Sequence, residues 1–270
     1  MIKHADLQTK IHDIYEKKVS IAEPSSKEAI VACIDLLDRG QIRVASKEDG
    51  ACRTHSWIKE AILLYFQIMP MQKMEAGVLS FFDKIPLKNW NGEDEVRVVP
   101  HAVVRKGAFV NKGVICMPSY INIGAYVDSG TMVDTWATVG SCVQIGKNVH
   151  LSGGVGVGGV LEPLQASPVI IEDDAFIGSR CILVEGALIE EGAVLGAGVT
   201  ITGTTRVIDV TREDEVVYRG RVPKYSVVIP GNSIKEFPSG DYAIPSALII
   251  GTRDEKTDRK VSLNAVLREI

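Results

Sequence analysis

A six-residue beat of β-branched and leucyl residues runs through the middle of the chain and leaves few folds open to it. It starts at Val103 and continues through Phe109, Ile115, Ile121, Val127, Val133, Val139, Ile145, Leu151 and Val157, ten positions without a miss. After a slip of two it resumes at Ile171 and continues through Ile177, Leu183, Ile189, Leu195, Ile201 and Val207. A small residue stands four places after most of them: Gly107, Gly113, Ser119, Ala125, Thr131, Ala137, Ala175, Cys181, Ala187 and Ala193. A period of six fits neither the 3.6-residue helix nor the two-residue alternation of a strand. It fits a short strand plus a turn, three of which close a triangular coil of about eighteen residues, with the next coil about 4.8 Å above. The first position points inward onto its counterpart one coil away, and the small residue lets the wall close without overpacking.

The flanks lack the beat. Leu7, Ile11, Ile14 and Lys18 have helical spacing, with Asp6 as a cap. Pro24-Ser25-Ser26 opens a second helix bearing Ala29, Ile30, Cys33, Ile34 and Leu37, which Gly40 ends. Gln41 to Thr54 reads as a hairpin around Glu48-Asp49-Gly50, and Ser56 caps a third helix running to about Met69, whose Trp57, Leu63, Leu64 and Phe66 read as core. These elements form an α-rich domain packed on the base of the coils. Pro163 and Pro168 expel Leu161 to Pro168 from the strand pattern as a loop. Ile208 to Gly220 reads as a hairpin about Arg212-Glu213-Asp214, and the beat reappears at Val222 and Val228. A strand at Ala247 to Thr252 and a helix at Leu263 to Ile270 would cover the open end. The expected fold is therefore mainly β. It is a left-handed parallel β-helix of hexapeptide repeats over 99–230 with an inserted loop near 161–168, an α-rich N-terminal domain over 1–98 and a small C-terminal β/α cap over 231–270.

The net charge of −4 gives no reason to expect nucleic acid or an anionic membrane as a partner. No run of about twenty apolar residues occurs, and a polar amphipathic stretch rather than a signal peptide follows Met1. Cys33, Cys52, Cys116, Cys142 and Cys181 are odd in number and form no CxxC pair, as expected of reduced thiols in a cytoplasmic protein. Hexapeptide coils serve several chemistries. A zinc anhydrase needs three converging histidines, and only His101 and His150 lie near the coils. A sugar-nucleotide enzyme needs a doubly wound N-terminal domain with a Gly-rich phosphate loop, which the first hundred residues lack. A bare scaffold needs no proline-bearing loop. Acyl transfer from a coenzyme A thioester is the class left in front.

The stretch from Met117 to Pro163 is the most specific. It contains Met117-Pro118-Ser119-Tyr120-Ile121-Asn122-Ile123-Gly124-Ala125-Tyr126-Val127-Asp128, then Val133-Asp134-Thr135-Trp136-Ala137, then His150-Leu151-Ser152-Gly153-Gly154 and Leu161-Glu162-Pro163. With Arg43-Val44-Ala45, Phe82-Asp83-Lys84-Ile85-Pro86 and Arg97-Val98-Val99-Pro100, it resembles the tetrahydrodipicolinate N-succinyltransferase family along nearly the whole chain. The resemblance implies a homotrimer with active sites between neighbouring β-helices. It implies succinyl transfer from succinyl-CoA to the amine of hydrated tetrahydrodipicolinate, in lysine and diaminopimelate biosynthesis. The alternatives are another CoA-dependent hexapeptide acyltransferase, acting on serine or a sugar, and a non-catalytic solenoid scaffold.

That reaction needs a base, oxyanion donors and cations for two carboxylates. The resemblance assigns substrate contact to Asp134 and to Arg97. Glu185 is the candidate base, and the family has a further glutamate where this chain has Ile182. Arg180 offers a second carboxylate clamp. Ser152, Gly153 and Gly154 bring backbone amides where bulk would obstruct a ligand. Arg206, Arg221 and Lys224 are positioned to seek the phosphates of CoA along the C-terminal coils. His150 ranks below Glu185 as a base. Asp173 and Asp174 read as turn chemistry, so neither a metal nor a tightly bound cofactor is expected, with succinyl-CoA as cosubstrate.

Overall fold

The computed structural model describes residues 4–48, 51–254 and 258. From Arg97 to Val228 the chain winds in coils whose straight segments are two-residue strands, each paired in parallel with the strands one coil away. Three faces result, as a left-handed parallel β-helix requires. The first climbs from Phe109–Val110 to Arg221–Val222, and the second from Val103–Val104 to Thr200–Ile201. The third climbs from Arg97–Val98 through Val194–Leu195 to Ser226–Phe237. Turns join the faces along three edges. Edge A follows the third face (134–137, 152–155, 178–181), edge B the second (140–143, 158–169, 184–187) and edge C the first (146–149, 172–175, 190–193).

Val127, Val133, Val139, Ile145, Leu151, Ile171, Ile177, Leu183, Ile189 and Leu195 stack in one continuous core. Burying each such side chain stabilises by about 1.5–3 kcal/mol. The expected frame is corrected in the first coil. There Val104, Val110 and Cys116 point inward under Ile121, Val127 and Val133, and Val103, Phe109 and Ile115 take the outward position of the same strands. That coil is seventeen residues long, because the turn after Cys116 is one residue short; Val127 to Ile145 spans eighteen. Both residues of each strand are apolar, so the beat passes unbroken over the deletion. Ala108 and Val114 fill the wall there, while Gly107 and Gly113 are turn residues at φ 84° and 75°. Later coils lengthen by insertion: Ile145 pairs with Ile171 and Ile189 with Val222, leaving the slip and the hairpin outside the ladder.

The N-terminal domain packs α1 (His4–Tyr15), α2 (Pro24–Asp38) and α3 (Ser56–Ile68). Lys18 falls beyond α1, Asp6 lies within its first turn rather than capping it, and His55, not Ser56, is the N-cap of α3. Ala45–Glu48 and Ala51–Thr54 pair as the expected hairpin, whose Asp49-Gly50 tip lies outside the described residues. A second hairpin, Gln72–Ala76 with Leu79–Asp83, carried no sequence signal that we read. The helices share a core with Ile123 and Cys142 of edge B. The domain therefore leans on the side of the coils rather than on their base, since edge B is where the turns present apolar side chains outward.

Beyond the last coil, Arg206–Asp209 and Val216–Arg219 form the expected antiparallel hairpin. Ser226–Phe237 and Gly240–Thr252 form a long ribbon. The strand expected at Ala247 to Thr252 is the end of this second arm, and its Ala247 and Ile249 close the top of the core. The expected helix from Leu263 to Ile270 lies outside the described residues.

The five cysteines are free thiols, and Cys52 alone is exposed. Burial pushes Cys33, Cys116 and Cys142 up to about 12 and Cys181 up to about 11. Desolvation and the nearby Glu172 carboxylate raise the Cys52 thiol too, but it alone is open to a reagent, so a disulfide reagent at pH 8 is expected to titrate one fast thiol per folded chain and five after denaturation. A second fast thiol would contradict this packing.

Candidate active site

Edge A stacks the turns that carry four of the six residues expected to bind or act on the amine substrate. Strand Met132–Val133 delivers Asp134, whose amide donates to Leu151 O at 3.0 Å. Its Oδ1 accepts from Thr135 N at 2.6 Å and from Thr135 Oγ1 at 3.2 Å, which fixes the carboxylate over its own turn. Trp136 follows at φ 60° and is 67% exposed, with its ring centroid 6.0 Å from that of His101. One coil up, Gly154 N donates to Thr135 O at 2.9 Å; on the next coil, Arg180 N donates to Gly153 O at 3.1 Å. A Cβ on Gly154 would meet Arg180 Cγ at 3.3 Å, so this glycine gives the arginine its path across the edge. Asp134, Ser152, Gly153 and Arg180 thus share one edge on three successive coils.

The amides expected to be open are mostly used: Ser152 N donates to Ile177 O and Gly154 N to Thr135 O, so of the three only the Gly153 amide has no acceptor among the described residues. Arg97 is exposed at the start of the third face, two strands below Met132 in the same ladder. His150, also on that face, is buried and stacked on Phe176 with ring centroids 5.0 Å apart and planes 6° apart.

Glu185 is placed elsewhere. It sits at φ 55° in the turn Val184-Glu185-Gly186 on edge B, separated from Arg180 by the strand Ile182–Leu183. The inserted loop packs against this turn and borders an open, solvent-accessible cavity of about 410 Å³, in which Glu185 itself is exposed. Glu185 lines it with Glu162, Pro163, Ala166, Ser167 and the glycines Gly158 and Gly159. The loop is held from the other side by Lys59 of α3, which donates to Ala166 O at 2.7 Å, and by Leu161, which packs into the helical core. The sequence pointed to this loop but not to its anchor. Glu162 was visible there as part of a motif, without a role.

Of the cations expected to receive CoA, two stand at one carboxylate and the third is paired on the added hairpin. Arg206 pairs with Glu215 at 2.7 Å on the added hairpin. Arg221 is ion-paired to Glu190 on edge C, and Lys224 N donates to the same carboxylate at 3.1 Å. Glu172, Asp173, Asp174 and Glu191 line that edge, so an incoming phosphate would meet carboxylates as well as cations. Asp173 and Asp174 cap turns, accepting from Lys147 N at 2.8 Å and Asn148 Nδ2 at 3.2 Å. Among the described residues, no three His, Cys, Asp or Glu side chains are grouped to hold a metal ion.

Residues 6–68 match the family described as tetrahydrodipicolinate N-succinyltransferase N-terminal, and residues 168–203 the hexapeptide repeat of succinyl-transferase. The 2,3,4,5-tetrahydropyridine-2,6-dicarboxylate N-succinyltransferase of Coxiella burnetii (strain Dugway 5J108-111) is 52% identical over 274 residues, covering 98% of this chain and 99% of its own. Those of Pseudoalteromonas translucida and Yersinia pestis (strain Pestoides F) are also 52% identical, covering 98% of this chain and 99% and 98% of their own. A solved structure from Campylobacter jejuni, described as that of a putative 2,3,4,5-tetrahydropyridine-2-carboxylate N-succinyltransferase, aligns with 16% identity and a TM-score of 0.49, over 97% of this chain and 65% of that one.

Proposed function

The chain belongs to the tetrahydrodipicolinate N-succinyltransferase family, and we propose that its active site forms between chains, edge A of one facing edge B of the next. The enzyme transfers the succinyl group of succinyl-CoA to tetrahydrodipicolinate, in lysine and diaminopimelate biosynthesis. Water adds to the cyclic imine to give a ring amine. The amine nitrogen attacks the thioester carbonyl, the C–N bond forms and the C–S bond breaks. CoA leaves as the thiol with the proton lost by nitrogen, and the ring opens to N-succinyl-2-amino-6-oxopimelate. In this reading Glu185 takes the amine proton and Asp134 holds the nitrogen through a charge-assisted hydrogen bond. Arg180 and Arg97 clamp the two carboxylates, and the Gly153 amide faces the thioester oxygen as tetrahedral charge develops.

The observation that carries this reading is the division of acidic groups within one chain. Asp134 stands with Arg180 on edge A, and Glu185 stands in a cavity on edge B. A homotrimer supplies a second edge to face the first, and exposed Trp136 and Ile182 lie on the surfaces it would cover. CoA runs along the outer wall of the C-terminal coils, where Arg206 and Arg221 reach its phosphates only by releasing Glu215 and Glu190; Lys224 lies beside the latter. The reaction needs no tightly bound cofactor. For this reading the chain divides into the helical domain 1–98, the β-helix 99–230 and the cap 231–270. No described helix is long and apolar enough to cross a membrane; the free thiols support a cytoplasmic location.

Subunit mixing tests the shared site. Asp134→Asn and Glu185→Gln chains are each expected to be nearly inactive. Denatured together in equal amounts and refolded, they are expected to recover about one quarter of the wild-type rate, since random assembly leaves that share of sites with both native carboxylates. No recovery in mixed trimers would place both groups in one chain and sink the arrangement.

A further inference from the structure

Lys59 is the one lysine whose side chain is fully buried among the described residues, at 0% exposure in the first turn of α3. Apolar neighbours Ile58 and Ile62 share its helix, and it makes no ion pair among the described residues. Its ammonium carries three donors, and the single acceptor it reaches is Ala166 O, 2.7 Å away on the inserted loop. Burying an ammonium without a carboxylate is unfavourable, and burial pushes its pKa down. A helix that merely had to pack would carry an apolar residue of similar length at this position.

The contact connects to the cavity in two short steps. Ser167, next to the anchored carbonyl, lies so close to the following turn that a Cβ on Gly186 would sit 2.8 Å from its backbone oxygen. Gly186 directly follows Glu185, and the backbone at both residues is left-handed, at φ 72° and 55°. On the other side of the loop Leu161, half-buried, packs against the helical core, so residues 162–165 span between two held points. That span puts Glu162 and Pro163 in the cavity wall with Glu185.

We infer that Lys59 is a positioning residue: by fixing Ala166 it sets the inserted loop as the outer wall of the Glu185 cavity, and so orders the loop for turnover rather than for folding. The inference rests on the reading of Glu185 as the base. It predicts a separation of stability from rate. In Lys59→Met the buried charge is removed and the apolar stem kept, so the melting temperature is expected to hold or rise. The Ala166 amide, which donates to Pro163 O at 3.1 Å, is expected to exchange at least ten-fold faster. In the same variant kcat is expected to fall at least ten-fold, with KM for succinyl-CoA within about three-fold of wild type.

Leu161→Ala releases the other fixed point without touching Lys59. It is expected to show the same pattern to a smaller degree, and it stands in if Lys59→Met does not fold. Unchanged loop exchange in both variants, or faster exchange with unchanged kcat, would overturn the inference. Glu185→Gln, run in parallel, separates the two readings. Full activity in Glu185→Gln with lost kcat in Lys59→Met would remove the base assignment and leave the loop anchor standing.

Discussion

Asp134→Asn is expected to lower kcat/KM for tetrahydrodipicolinate by about 1,000-fold while leaving the oligomer and its melting temperature unchanged. The expectation rests on how the two carboxylate oxygens are used. Oδ1 is committed to the turn through Thr135 N and Thr135 Oγ1, and an asparagine keeps that oxygen and both hydrogen bonds. What the substitution removes is the negative charge and the acceptor character of Oδ2, the oxygen available to an amine. A hydrogen bond to a charged partner in a closed site loses far more than its neutral counterpart would. Asp134→Ala is a poorer experiment, because it also strips the turn and mixes a structural loss into the kinetic one. Steady-state CoA release at saturating succinyl-CoA provides the measurement. Activity within three-fold of wild type in a native oligomer would mean that Asp134 only ties its own backbone.

The positions that repeat were legible in the sequence, because a coil demands the same residue class every six places and tolerates little else. Where legibility failed, two causes were at work. In the first coil the frame was read one residue early, since Val103-Val104, Phe109-Val110 and Ile115-Cys116 are apolar at both positions and periodicity cannot choose between them. The missing residue lies in the edge A turn directly below Asp134, where Pro118 O receives the Trp136 amide at 2.7 Å. The second cause is pairing between distant segments. Nothing local in Lys59 announces Ala166, which is 107 residues away, and nothing local in Arg221 announces Glu190. Asp134 and Arg180 could be read one at a time, yet their shared edge follows only from coil lengths that include an insertion of unknown register. The CoA cations show the same limit: a basic residue can be picked out in a sequence, but the carboxylate it must release to bind a phosphate, Glu215 for Arg206 and Glu190 for Arg221, cannot.

Gly140→Ala is expected to destabilise the enzyme by about 3 kcal/mol and, in the folded fraction, to cut kcat/KM by about 100-fold. Gly140 is not at positive φ, so the cost is not one of backbone conformation. A Cβ there would lie 2.1 Å from Gly159 N and 2.6 Å from Gly158 C, backbone atoms with no rotamer by which to retreat. The approach is mutual: a Cβ on Gly159 would meet Ser141 N at 2.5 Å. The coil below and the root of the inserted loop are therefore pressed together without side chains between them. Gly140 N donates to Val157 O at 2.8 Å and Val160 N to Ser141 O at 3.1 Å, so moving the loop root aside breaks ladder hydrogen bonds on both flanks. The displaced residues, Gly158 and Gly159, are the inner lip of the Glu185 cavity, which is why rate should fall beyond what unfolding explains. Gly251→Ala is the control: it has open space around the new methyl group and is expected to stay within about 0.5 kcal/mol of wild type. Thermal melts and kinetics on both variants decide the matter. A Gly140→Ala enzyme that melts with its parent would show that the loop root can sit farther from the Gly140 turn than the native packing allows.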